Sequence, residues 1–257
     1  MSVLPDIQKI TTSSGYTIGD LGVFPRVSNI LSMANFGGNA LKRWEYGLFE
    51  KYLLKQAATS YTRDELLKIA FTAYEEPKRV VKGACDFGTD SHKYIEAKLT
   101  DGSVIKIPDQ DYADAQIMMQ SIDKFFSDYG ITKEDTWACE QFVYSEKYKV
   151  AGTIDYILKK GGALHLLDWK TSSHISPKYP LQLSIYIKML EERLKANNIE
   201  ETIAGATIVK FEKKSVGYEL FCFSREEAEK YFRLFLHCLD LYNYEHSDHR
   251  NFALNLP

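Results

Sequence analysis

Positive charge is not in excess in this chain, cysteine is sparse and long apolar runs are missing, and each absence narrows what the protein can be. Against 35 acidic residues stand 32 Lys and Arg, a formal net charge of -3, which argues against a protein that coats duplex nucleic acid through a broad basic surface. Local basic stretches such as Lys42-Arg43, Lys78-Arg79, Lys159-Lys160 and Lys213-Lys214 can still track a backbone. Cys85, Cys139, Cys222 and Cys238 are scattered without a C-x-x-C pair. They suggest no disulfide framework, and the expectation is buried, reduced thiols. No apolar run approaches the roughly 18 residues of a membrane span, so no membrane partner is expected. The opening Met1 to Lys9 has neither an apolar signal core nor an Arg-rich transit character. The expected location is the cytoplasm, in a prokaryote or a phage-infected cell. No repeat or low-complexity linker is evident, only a polar tail after Tyr244.

What is present centres on Ala151 to Lys170, two apolar-alternating segments joined at Gly161-Gly162. A two-residue Gly-Gly loop is a strong hairpin signal. In such a hairpin the residue numbers facing each other have a constant sum, which sets Asp155 opposite Asp168. Because side chains alternate faces along a strand, Lys170 shares the face of Asp168, Trp169 points away and Thr153 stands opposite the lysine. A further strand at 137–146 leads through Lys147-Tyr148 into this hairpin. Centring that turn on Lys147-Tyr148 sets Glu140 opposite Asp155, although Lys-Tyr is poor chemistry for a tight turn and a longer loop would shift the pairing by one or two residues.

If that register holds, Glu140, Asp155 and Asp168 form a row on neighbouring strands about 4.8 Å apart. A solvated sheet face with Lys170 bridging one acid would also accommodate them. Yet acidic residues are depleted in strands, and like charges directly opposite destabilise a pair. A shared cation turns that repulsion into attraction, and carboxylate oxygens suit Mg2+ or Mn2+. Lys170 would then position the attacking water and stabilise charge on a phosphate.

Several pieces occur in one order along the chain: Gly88-Thr89-Asp90-Ser91-His92 with Tyr94-Ile95-Glu96; Glu140; Ala151-Gly152-Thr153-Ile154-Asp155; Leu167-Asp168-Trp169-Lys170-Thr171; and Tyr179 to Tyr186 with Gln182. In that order they resemble the PD-(D/E)XK nuclease superfamily, in its RecB-like exonuclease branch. Phe24 to Leu31 and Leu41 to Trp44 are similar to the amino-terminal part of mitochondrial genome-maintenance exonucleases and their phage relatives. Ordinary packing also accounts for that segment, with Ser28 capping a short helix and Trp44 on an apolar helix stripe. The resemblance implies Asp155 and Asp168 as metal ligands, Glu140 and His92 completing or orienting the metal shell, and Lys170 as the catalytic lysine. By the same resemblance Gln182 and Tyr186, an i, i+4 pair on one helix face, flank the substrate or brace the lysine. Iron-sulfur members of the branch carry one early cysteine and a tight late cluster; Cys222 and Cys238 are too far apart for that, so no iron-sulfur cluster is expected.

The expected fold class is α/β (α+β), a restriction-endonuclease-like core with a central mixed sheet flanked by helices and an amino-terminal helical lobe. The organisation expected is a hairpin and helical lobe over 1–84, the core over 85–246 and a tail over 247–257. Residues 3–10 and 15–21 read as a hairpin around Ser13-Ser14-Gly15. Helices are expected near 39–58, 62–76, 89–99 and 110–129, the second opened by the capping box of Thr62 and Glu65 and ended by Pro77. Strands near 137–145, 150–159 and 163–171 form a meander. A helix carrying Gln182, strands near 203–212 and 217–223, and a helix capped at Ser224 follow.

The function expected is a Mg2+- or Mn2+-dependent DNA exonuclease acting on single-stranded ends in replication, repair or recombination. Its partners would be DNA and a helicase or other repair protein, in an oligomeric state the sequence leaves open. The rivals are a non-catalytic nucleic-acid-binding module of the same fold and a structure-specific or RNA-directed endonuclease.

Overall fold

Gly161 and Gly162 both adopt positive φ, 63° and 83°, the backbone that a two-residue hairpin loop of the primed type requires. They join β5 (Val150–Lys160) to β6 (Ala163–Lys170) in the expected register, from Lys160 opposite Ala163 to Tyr156 opposite Leu167. The computed structural model describes residues 4–5, 7–12, 14–34, 38–56, 60–100 and 112–247. The turn between β4 (Thr136–Ser145) and β5 occupies 146–149, with Lys149 at φ 52°. It is a longer loop than a two-residue turn, but it is centred on Lys147-Tyr148 and leaves the register unshifted, with Ser145 opposite Val150, Gln141 opposite Ile154 and Cys139 opposite Tyr156. Glu140 is thus level with Asp155.

Two more strands complete a mixed sheet of order β4-β5-β6-β7-β8, with β7 (Ile203–Phe211) parallel to β6 and β8 (Tyr218–Ser224) antiparallel to β7. The parallel pair needs a long crossover, which the helix α5 (Lys178–Ala196) provides. One face of the sheet is covered by α5, by α6 (Arg225–His246) and by the short α1 (Val27–Leu31), around Ile154, Leu164, Leu166, Ile208 and Phe235. The other is covered by the end of α3 (Arg63–Thr100) and by α4 (Tyr112–Tyr129), around Met118, Phe125, Tyr156, Trp169 and Phe211. Ser224 caps α6 as expected: its hydroxyl accepts the Glu227 N–H at 3.1 Å while the Glu227 carboxylate accepts the Ser224 N–H at 2.8 Å.

Strict alternation fails at the level of Asp155. Ile154 belongs to the first core layer and Tyr156 to the second, although two residues apart should share a face. On β4 the same reversal separates Val143 from Cys139. Between them Glu140 stands at φ 48°, left-handed in mid-strand, and the register is the same on its two sides, with Cys139 opposite Tyr156 and Gln141 opposite Ile154.

The amino-terminal region differs most from expectation. The helices expected near 62–76 and 89–99 are one helix of 38 residues that runs through Pro77 and across residues 84 and 85. Proline removes one backbone hydrogen bond; here ion pairs of Glu75 with Lys78 at 2.7 Å and of Glu76 with Arg79 at 2.8 Å straddle the position and support the turns on both sides. Asp101 and Gly102, the expected end of that helix, lie outside the described residues. The expected hairpin is β1 (Lys9–Thr11) and β2 (Gly15–Ile18), extended by a third strand β3 (Val23–Pro25) into a small sheet. A three-residue strand ending in proline leaves no periodic signal. Ser28 lies inside α1, whose cap position is Arg26, and Trp44 on α2 (Gly38–Lys55) is 41% exposed instead of buried in a stripe. Of the cysteines, Cys238 is buried but Cys85 and Cys222 are exposed, contrary to the expectation of four buried thiols.

Gly205, in β7 opposite Ser224, leaves no room for a side chain: a Cβ there would lie 2.3 Å from the Phe223 carbonyl oxygen. Gly205→Ala is expected to lower stability by about 1–3 kcal/mol, read as a lower urea midpoint at unchanged slope.

Candidate metal centre where the sheet forks

The ladder between β5 and β6 ends at Tyr156 and Leu167. One residue further, Asp155 fills the opening with its carboxylate, whose Oδ2 accepts the Trp169 N–H at 2.9 Å. The Trp169 carbonyl is used as well, by Nε2 of His92 at 3.1 Å. A carbonyl only accepts, so Nε2 carries the proton, and in the neutral ring the Nδ1 lone pair is left to face the acids. Nδ1 stands 3.8 Å from Asp155 Oδ2 and 3.8 Å from Glu140 Oε1. One ligand atom each from His92, Glu140 and Asp155 falls within 4.8 Å of the others. Burial works against a proton on His92, but the carboxylates of Asp155 and Glu140 outweigh it and hold the imidazole above its ordinary pKa.

Each position has a local cause. The Trp169 ring is buried on the opposite face, 5.7 Å from Tyr156, 5.8 Å from Phe125 and 6.0 Å from Phe211 between centroids, which fixes the peptide that both Asp155 and His92 bind. His92 reaches that peptide because α3 passes close to the end of β6 at Gly88, one turn earlier, where a Cβ would lie 3.3 Å from Thr171 Oγ1. Glu140 turns towards His92 through its left-handed backbone, a conformation costing about 1–2 kcal/mol for an L-residue.

Asp168 stands beside this trio but outside the 4.8 Å group. It is only 1% exposed, and its Oδ2 is 2.6 Å from Lys170 Nζ. Apart from that ion pair, neither of its buried oxygens has a hydrogen-bond donor among the described residues. Burial pushes its carboxyl up to about 6, with the Lys170 charge pulling down and Asp155 adding to the rise. For Lys170, burial pulls the pKa down, but Asp168 and Asp155 outweigh it, so the ammonium persists. Burial prevails at the acid and the ion pair at the base. Lys170 Nζ also lies 4.9 Å from the centre of the Tyr179 ring.

Gln182 and Tyr186 meet each other, Nε2 of Gln182 donating to the Tyr186 hydroxyl at 3.2 Å. Burial pushes the Tyr186 phenol pKa well up, and its ring rests on Gly152, where an added Cβ would fall 2.7 Å from the ring. Sequence reasoning did not assign roles to Gly88, Gly152, Tyr179 or the Trp169 peptide. The first two left a signal, a glycine one helical turn before His92 and one three residues before Asp155.

A divalent cation fits this donor set. One imidazole lone pair and two carboxylates converge, and the unfilled acceptor capacity of buried Asp168 lies alongside. The hydrogen bond from His92 Nε2 to a backbone carbonyl is the outer contact that orients a metal-binding histidine.

A family model described as the PD-(D/E)XK nuclease superfamily matches residues 82–252. No curated protein matches the chain.

Addition of Mn2+ is expected to raise the melting temperature, since an ion at a hundred times its Kd adds about 2.7 kcal/mol to stability. His92→Ala and Asp155→Asn should each remove most of that rise. A full rise in both variants, followed by differential scanning fluorimetry, would locate binding elsewhere.

Proposed function

The chain belongs to the PD-(D/E)XK nuclease superfamily, and from that premise we propose that it is a Mg2+- or Mn2+-dependent deoxyribonuclease that degrades DNA from single-stranded ends. The observation that carries this reading is the convergence of His92, Glu140 and Asp155 beside the buried Asp168–Lys170 pair. A module that only bound nucleic acid would have no use for clustered acids.

In the proposed reaction His92, Glu140 and Asp155 would hold the cation, with Asp168 alongside. A divalent ion, when bound, supplies Lewis-acid polarisation of the phosphate and a lowered pKa for water. Lys170 keeps its proton and presents a positive charge where negative charge grows as water attacks phosphorus. His92 donates its Nε2 proton to Trp169 and so keeps Nδ1 directed at the acids. Tyr186 packs its ring against Gly152 and accepts a hydrogen bond from the Gln182 amide, a pair that would flank the bound strand.

Preference for an unpaired strand is supported by the resemblance of the ordered motifs to RecB-like exonucleases and by exposed Tyr46, Phe71 and Tyr74 on α2 and α3, which offer faces for base stacking. The proposed setting is DNA replication, repair or recombination, beside a helicase or another repair protein.

Asp168→Asn and Lys170→Ala are expected to lower cleavage by at least about a hundredfold, as loss of a transition-state charge partner does, with circular dichroism unchanged. End-labelled linear DNA and a closed circle, each with Mg2+, Mn2+ or EDTA, test the rest. Linear DNA should shorten with either ion, while the circle stays intact. A cut circle would make the protein an endonuclease, and no cleavage at all would make it a binding module.

A further inference from the structure

Arg26 carries a charge that the described protein does not neutralise. It stands between β3 and α1, and its backbone bridges Ala151 near the start of β5. Its guanidinium carbon lies 5.2 Å from the centre of the Tyr16 ring, and Nη2 donates to the Thr12 carbonyl at 2.9 Å. Nε is buried without an acceptor among the described residues. Among the described residues no carboxylate pairs with it, whereas Arg79 holds Glu76, and Arg225 holds Glu191 and Glu229. A permanently charged group left without an anion is costly, and its planar fork of donors matches the oxygens of a phosphate.

The position suits a bound strand. Ala151 and Asp155 are four residues apart on β5, about 13 Å at strand rise. Thr153, half-buried, lies between them opposite Phe142, whose ring meets Tyr16 edge-on at 5.0 Å between centroids. Arg26, Tyr16, Phe142 and Thr153 thus make one continuous surface leading to the acids.

We infer that Arg26 binds a backbone phosphate of the substrate strand next to, but not at, the phosphate being cut, with Tyr16 fixing the plane of its guanidinium. The assignment deepens the nuclease reading and rests on it for the identity of the anion. Phosphate contacts position a nucleic acid without reading its sequence, so Arg26 would set how far a strand advances over the metal centre.

The test is equilibrium binding of a fluorescent single-stranded oligonucleotide in EDTA, over a range of NaCl, to the full chain and to Arg26→Gln and Arg26→Lys. Glutamine keeps a donor for Thr12 and drops the charge. It should weaken binding about tenfold and flatten the slope of log K against log salt by about 0.7, the signature of one lost single-strand phosphate contact. Lysine should restore the slope but only part of the affinity. Unchanged affinity and slope in a folded Arg26→Gln protein would overturn the assignment, as would a wild-type protein that does not bind the oligonucleotide. Should Arg26→Gln fail to fold, single methylphosphonates placed along the oligonucleotide test the wild-type protein directly. One non-scissile position should weaken binding when neutralised, and the absence of any such position overturns the proposal. Binding that behaves as expected in a protein that never cleaves with Mn2+ upholds the Arg26 contact and sinks the nuclease reading alone.

Discussion

The peptide unit of Trp169 is the constraint on which the centre depends. Its N–H holds Asp155, its carbonyl holds His92, and the neighbours that share its backbone are Asp168 and Lys170. A peptide serves as such a reference only if it cannot move, and the indole wedged among Phe125, Tyr156 and Phe211 prevents that. The spacing of acid, any residue and lysine therefore has a double meaning. Alternation puts the two charged groups on one face, while the middle residue anchors the strand from the other. Core packing and chemistry are joined within three residues.

Much of this was legible before any coordinates. The glycine pair fixed the hairpin register, and the pairing of β4 with β5 followed even though the turn at 146–149 is longer than two residues, because the extra residues enter symmetrically about Lys147-Tyr148. The centre's composition was less legible. Plain alternation sets three acids in a row, but the left-handed Glu140 reverses the faces at that level. The tight group that results contains His92, and Asp168 is drawn aside by Lys170. No local pattern announces positive φ at a glutamate, since the conformation is imposed by contacts that only the folded chain makes.

The long helix shows the same limit from the other direction. Pro77 is a sound reason to end a helix, and the capping box of Thr62 and Glu65 correctly begins one. What carries α3 past the proline is the summed contribution of many residues on both sides, with two ion pairs across the break. The consequence reaches the centre, because a continuous rod ties the presentation of His92 to the exposed apolar stretch of Leu66, Leu67, Phe71 and Tyr74 about five to seven turns away.

Charge balance connects the centre to its surroundings. Glu140, Asp155 and Asp168 contribute three negative charges and Lys170 one positive, so with neutral His92 the cluster stands at 1 - 3 = -2. One divalent cation balances that sum and leaves nothing over for the substrate. A phosphodiester brings further negative charge, and a strand brings one at every nucleotide. Cations outside the cluster must answer it, on an overall acidic chain whose Arg79 and Arg225 already hold carboxylates. Arg26 is braced on Tyr16 and joined through Ala151 to the strand that carries Asp155. Among the described residues no carboxylate pairs with it, so its charge and that of the acid cluster call for two different counter-charges, a polyanion and a cation.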